Sequence, residues 1–137
     1  MTIKPYLFFD GRAEEAIRFY QDVLGAEVLM LMRFKDSPEP PPPGAAAPGL
    51  EDKVMHASLK VRDSEIMVSD GRAGGQPEFR GVSLALSVGD AAEGQRLFTA
   101  LGQGGAAQMP FGPTFFSPGF GVVADRFGVS WMVVTEP

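Results

Sequence analysis

The chain has 137 residues, no cysteine, a formal net charge of −5 and 45% hydrophobic residues. That length supports one domain or two small fused modules with a core that needs no cross-links, and the missing cysteines exclude a disulfide framework, a thiolate zinc site and a cysteine nucleophile. The 12 Lys and Arg are scattered, which argues against nucleic acid, and no run approaches the ~18 apolar residues that cross a bilayer, so no membrane segment and a cytoplasmic location are expected.

Tyr6 to Phe9 is a short apolar run of strand type. Asp10-Gly11 breaks it, and Ala13, Ala16, Ile17, Tyr20, Val23 and Leu24 then recur at helical spacing up to Gly25, a residue suited to a left-handed cap. A strand is expected over Ala26 to Phe34. Residues 36–50 hold Pro38, Pro40, Pro41, Pro42, Pro43 and Pro48, which rules out a central strand and leaves an extended excursion or a flap over a site. Val54 to Arg62 alternates, with Met55, Ala57, Leu59 and Val61 on one face and His56, Ser58, Lys60 and Arg62 on the other. A tight turn at Asp63-Ser64 leads to a strand over Glu65 to Asp70, and residues 71–77 form a loop. Leu84 to Val88 is a strand, about Asp90 to Leu101 a helix, and Ala106 to Met109 a short strand. A loop rich in Gly, Pro and Phe is expected over 110–121, then a hairpin of Phe120 to Ala124 and Val129 to Thr135 across Asp125-Arg126-Phe127-Gly128.

A shift of 78 residues carries Gly11 onto Gly89, Ala13 onto Ala91, Glu15 onto Glu93, Arg18 onto Arg96, Phe19 onto Leu97, Tyr20 onto Phe98 and Val23 onto Leu101. The element order is therefore βαβββ twice: a first module over 1–72 containing the Pro-rich insertion, and a second over 80–137.

This order, with Pro5-Tyr6-Leu7 leading into Ala16 to Leu24, Met55-His56-Ala57, Met67-Val68-Ser69-Asp70, Phe120-Gly121 and Asp125 to Met132, resembles the vicinal oxygen chelate superfamily of glyoxalases, bleomycin-resistance proteins and dioxygenases. More narrowly it resembles the PhnB-like (YjdN-like) branch. The resemblance implies an α+β fold of paired βαβββ modules, a single glyoxalase-like domain over 1–137 with a curled mixed sheet around a cavity, and a homodimer, which would also cover exposed sheet edges. Members of that branch carry a 3-demethylubiquinone methyltransferase description, yet the chain has no Gly-rich strand-to-helix turn to cradle a nucleotide-like cofactor.

The superfamily holds a divalent metal at four strand positions, which the resemblance places at Pro5, Val68, Ser83 and Met132. Pro5 and Val68 have no donor atom, Ser83 is a poor ligand, and a Met thioether prefers soft ions, so no metal is expected there. A register slip to Tyr6, Ser69, Leu84 and Val133 supplies no site either. Residues in phase with the four positions, Leu7, Phe9, Ile66, Asp70, Ala85, Ser130 and Val134, are expected to line the cavity. Tyr6, Phe8, Leu84, Leu86, Val88, Trp131 and Val133 are expected to pack on the helices.

His56, the only histidine, reads either as a solvated or structural residue or as a pocket base. Asp70 reads either as a turn cap or as the partner that orients His56. Phe111, Phe115 and Phe116 anchor their loop, wall the pocket or form a dimer contact. Two functions fit: binding of a small apolar molecule without a metal, with Leu7, Phe9, His56, Val68, Asp70, Ser83, Phe115, Phe116 and Met132 as candidate ligand contacts, or a lyase or isomerase in which His56, with Asp70, moves protons. Whether the protein is an enzyme stays open at this point.

Overall fold

In the computed structural model, which describes residues 1–38, 49–71 and 77–137, the chain forms two units, Met1–Pro77 and Glu78–Pro137. The first contains β1 (Tyr6–Phe8), α1 (Ala13–Leu24), β2 (Glu27–Arg33), β3 (Val54–Val61) and β4 (Ser64–Ser69), with short 3-10 turns at Phe34–Asp36 and Leu50–Asp52. Its sheet runs β1-β4-β3-β2, with β1 parallel to β4 and the other pairs antiparallel. The second contains β5 (Ser83–Val88), α2 (Ala91–Leu101), β6 (Ala106–Gly112), β7 (Phe120–Ala124) and β8 (Ser130–Thr135), in the order β5-β8-β7-β6 with β5 parallel to β8. Each unit is thus a βαβββ module with a four-stranded mixed sheet, the α+β arrangement expected. Residues 39–48 of the Pro-rich insertion lie outside the described residues.

Helix α1 ends at Gly25, whose φ of 66° and N–H to the carbonyls of Gln21 and Tyr20 make the expected left-handed cap. Its buried stripe of Ala13, Ala16, Ile17, Phe19, Tyr20 and Leu24 gives the first unit a core with Leu7, Phe9, Ala57, Leu59, Val61, Ile66 and Val68. In the second unit Leu97, Phe98 and Leu101 of α2 are buried with Leu86, Val88, Val123, Trp131 and Val133.

Two expectations need correction. First, β6 does not stop at Met109 but runs through Pro110 and Phe111 to Gly112. It is the edge strand, so Pro110 has a side of the ladder on which no N–H is required. Second, the sheet faces of the first unit are reversed relative to the expected parity. Leu7, Phe9, Ile66, Val68 and Asp70 are buried on the helix side, while Tyr6 and Phe8 are exposed. In the second unit the parity is as expected: Leu86, Val88, Trp131 and Val133 are buried, and Ser83 and Ala85 are exposed.

The reversal has a local cause. Between buried Phe9 and the start of α1 stand Asp10, Gly11 and Arg12; between buried Val88 and the start of α2 stand only Gly89 and Asp90. Asp10 and Gly11 take up the extra length at φ of 49° and 111°. The helices therefore repeat at 78 residues, but Leu7 and Phe9 correspond to Leu86 and Val88 at 79. With a side-chain period of 2, one residue moves every side chain of the strand to the opposite face.

Candidate functional site

The open face of the first sheet is set by register. Tyr6 pairs with Met67, Met67 with Ser58, and Ser58 with Met30; Phe8 pairs with Ser69, and His56 with Met32. Directly opposed residues share a face, so Tyr6, Phe8, Met30, His56, Ser58 and Met67 lie together on the side away from the core. Tyr6 is 38%, Phe8 52% and Met30 41% exposed. The Tyr6 and Phe8 rings stack with centroids 4.9 Å apart at 24°, and the Tyr6 and His56 rings tilt together at 5.5 Å.

Tyr6 Oη and His56 Nδ1 are 2.8 Å apart. That bond has two proton arrangements: the phenol donates to Nδ1, leaving Nε2–H as a donor, or Nδ1–H donates to the phenol, leaving its O–H and a basic Nε2. The pair can therefore offer a ligand either a donor or an acceptor at Nε2, and moving between the two forms relays a proton. The relay through Tyr6 is what an isolated surface histidine does not supply.

Asp70 does not take part. Its carboxylate is 1% exposed and accepts from Gly11 N and Ala13 N through Oδ1 and from Val54 N through Oδ2, each at 2.8 Å. It is the cap of α1, whose own N-cap residue Arg12 makes no side-chain cap bond. Being on the helix side of the sheet, it cannot meet His56 on the open side, so of its two readings the cap holds, and the partner of His56 is Tyr6. Leu7, Phe9 and Val68 are likewise core residues; Phe9 packs on Tyr20 at 6.3 Å.

The remaining candidates lie in the second unit. Ser83 donates to Ser130 Oγ at 2.7 Å, across a register pair of the parallel strands β5 and β8, and Ser130 donates to Gln108 Oε1 at 3.3 Å. These residues line an open recess of about 400 Å³ together with Phe79, Arg80, Gly81, Val82 and Gly128. Met132, half-buried, shares the open face with Ser83 and Ser130. Phe116 packs edge to face on Phe120 at 5.1 Å, Phe115 on Phe116 at 5.1 Å, and Phe115 is fully exposed. Phe111 instead joins Phe98 on the helix side, with ring centroids 5.8 Å apart.

Sequence reasoning missed Tyr6, Phe8, Gln108 and Arg80. A signal for the first two existed in β4, where Ile66 and Val68 are aliphatic and Glu65, Met67 and Ser69 are not. Because β4 is the parallel neighbour of β1, its alternation fixes the face of Tyr6 and Phe8.

The offset of 79 also corrects the expected metal positions in the first unit: the counterparts of Ser83 and Met132 are Lys4 and Met67, not Pro5 and Val68, and Val68 is buried in the core. Ser83 donates to Ser130. Among the described residues no group of three His, Asp or Glu side chains is placed to hold a metal. The strand-to-helix turns are also engaged: Asp70 occupies the amides that open α1, and Asp90 accepts from Glu93 N at 2.8 Å at the start of α2. Among the described residues no helix is long and apolar enough to cross a membrane.

Comparison with known proteins bears on this geometry. The profile of the family described as 3-demethylubiquinone-9 3-methyltransferase matches residues 1–134. The chain is 37% identical to protein YjdN of Escherichia coli over 97% of this chain and 94% of that protein. It superimposes on the solved structure of protein PA1353 from Pseudomonas aeruginosa with a TM-score of 0.85 and 43% identity, covering 99% and 98% of the two chains. A PhnB protein from Bacillus cereus, described as a 3-demethylubiquinone-9 3-methyltransferase, gives 0.79 and 31%, covering 98% and 99%. The fold is that of glyoxalase, bleomycin-resistance and dioxygenase proteins, as a domain from Frankia shows at a TM-score of 0.66 and 17% identity.

Proposed function

Because the chain belongs to the PhnB-like family described as 3-demethylubiquinone-9 3-methyltransferase, we propose that it binds a small, mainly apolar molecule on the open face of its first sheet, without the superfamily metal. The observation that carries this reading is the exposed Tyr6–Phe8 stack beside the Tyr6–His56 hydrogen bond. Exposed aromatic and Met side chains gathered on one face mark a recognition surface more often than a resting one. A flat ring gains contact on Phe8, while His56 and Tyr6 fix its orientation through one polar atom. Methyl transfer is not part of the proposal, because the amides at both helix starts that a nucleotide-like cofactor would use are capped by Asp70 and Asp90.

A thermal-shift screen of aromatic and aliphatic ligands on the whole protein tests the reading. Hits should lose most of their shift in Phe8→Ala and part of it in His56→Ala; undiminished shifts in both variants would remove the face from the site. Near-stoichiometric Ni, Zn, Mn or Fe in elemental analysis would overturn the metal-free part.

A second reading rests on the same 2.8 Å contact: Tyr6 and His56 act as an acid/base pair in a lyase or isomerase. Turnover lost in both Tyr6→Phe and His56→Gln, with ligand affinity kept, would favour it over binding alone. The proposal also takes the protein as a cytoplasmic homodimer, supported by the edge strand β2, which exposes Leu29 and Met30. Light scattering should give about twice the chain mass of 14.7 kDa.

A further inference from the structure

The recess of the second unit carries a chemistry that the aromatic face does not. At Gln108 the β6–β7 register shifts: Ala107 pairs with Val123 and Met109 with Val122, so Gln108 is the extra residue of a bulge. Bulges re-aim a side chain, and this one brings Gln108 Oε1 to the Ser130 hydroxyl at 3.3 Å. The chain of bonds from Ser83 to Ser130 to Gln108 fixes the amide orientation. With Oε1 accepting from Ser130, the two Nε2 hydrogens point elsewhere.

At the rim stands Arg80, bonded through Nε to Glu78 at 2.9 Å, with the two side chains 88% and 67% exposed. A pair so solvated contributes little, so the guanidinium can exchange Glu78 for another carboxylate. Gly81 and Gly128, both at positive φ, leave open space where a Cβ would project. Phe79 and Val82 add apolar wall.

We propose that this recess is a binding site for a small organic carboxylate. The carboxylate pairs with the planar fork of Arg80, its organic part lies along Phe79 and Val82, and the Gln108 Nε2–H group donates to its oxygens. Glu78 is the internal competitor for Arg80. The proposal uses none of the residues of the aromatic face and stands or falls separately from it.

Titration of the ¹⁵N-labelled whole protein with benzoate, and with its neutral counterpart benzamide, tests it. Benzoate should produce saturable shifts at the amides of Gly81, Ser83 and Gly128 and at the Gln108 side-chain amide, and should bind at least about tenfold tighter than benzamide. Arg80→Gln should weaken benzoate about tenfold or more, Gln108→Leu should weaken it less, and Glu78→Gln should tighten it. Phe8→Ala should change nothing. The proposal is overturned if no shift saturates, if benzamide binds as well as benzoate, if Arg80→Gln has no effect, or if Phe8→Ala abolishes binding.

Discussion

The two units use the same device at different ranges. Each is pinned by one buried aspartate that accepts three N–H bonds. Asp70 closes the first unit over long sequence distances, from the end of β4 to Gly11, Ala13 and Val54. Asp125 acts within its own hairpin, accepting from Phe127 N and Val129 N through Oδ1 and from Trp131 Nε1 through Oδ2 at 2.9 Å. In the second unit the helix is capped locally by Asp90; in the first the cap is imported from a residue 57 positions downstream. Duplicated architecture thus tolerates relocation of its polar anchors, provided that each buried donor finds an acceptor.

The sharpest way to break this comparison is to remove each anchor in turn. Asp70→Ala strands two buried amides, at Ala13 and Val54, and the half-buried amide of Gly11, and should lower stability by about 3 kcal/mol or more in urea unfolding. Asp125→Ala should cost about 2 kcal/mol, because its turn can relax toward water. Hydrogen exchange separates the two: the first variant should deprotect the start of α1 and Val54 together, the second only the β7–β8 hairpin. Equal, hairpin-like local effects from both would contradict the long-range role of Asp70. Asp90→Ala, the loss of an exposed local cap, should cost only about 1 kcal/mol.

The open faces differ as much as the anchors. The first presents Tyr6, Phe8, Met30 and His56; the second presents Ser83, Ser130 and Gln108. Tyr6→Phe should leave the fold intact, since Tyr6 is partly exposed, yet remove the only described side-chain partner of His56 Nδ1. The expected readout is a changed ¹⁵N chemical shift of His56 Nδ1 by NMR, with unfolding within about 0.5 kcal/mol of the parent. An unchanged Nδ1 shift would mean that the contact does not hold in solution.

How much of this was legible in the sequence follows from the same contrast. Element order, both helices, the Gly25 cap and the family resemblance were readable because they rest on local periodicity and single-residue turn chemistry. The faces of β5 and β8 were also readable. The face of β1 was not, because a repeat measured on the helices was carried into the strand across a connection one residue longer. Asp70 looked ambiguous because its partners are far away in sequence, and the Tyr6–His56 contact was hidden because it depends on both of those facts. Gln108 and Arg80 had no periodic signal: one acts through a bulge, the other through a turn.

The smallest expected effect concerns an ion pair of the first unit. Arg33 grips Glu14 with both terminal nitrogens, at 3.1 and 2.9 Å, and donates to the Asp52 carbonyl at 2.8 Å, tying α1 and the end of β2 to the Leu50–Asp52 turn. The hydrogen bond from Arg33 lowers the Glu14 carboxyl below its usual 4.5, and the same bond raises Arg33. A lowered acid stabilises the fold above its unfolded value, and that stabilisation fades as pH falls through the folded value. The pair should therefore act at neutral pH and disappear in the acid range below 4.5. Since Glu14 is 43% exposed, solvent screening limits the effect to about 0.5 kcal/mol. Glu14→Gln should lower stability by that amount at pH 7 and by almost nothing at pH 3, so the difference between variant and parent in urea unfolding should shrink with acid. A difference that stays constant or grows on acidification would show that Glu14 acts through packing rather than through its charge.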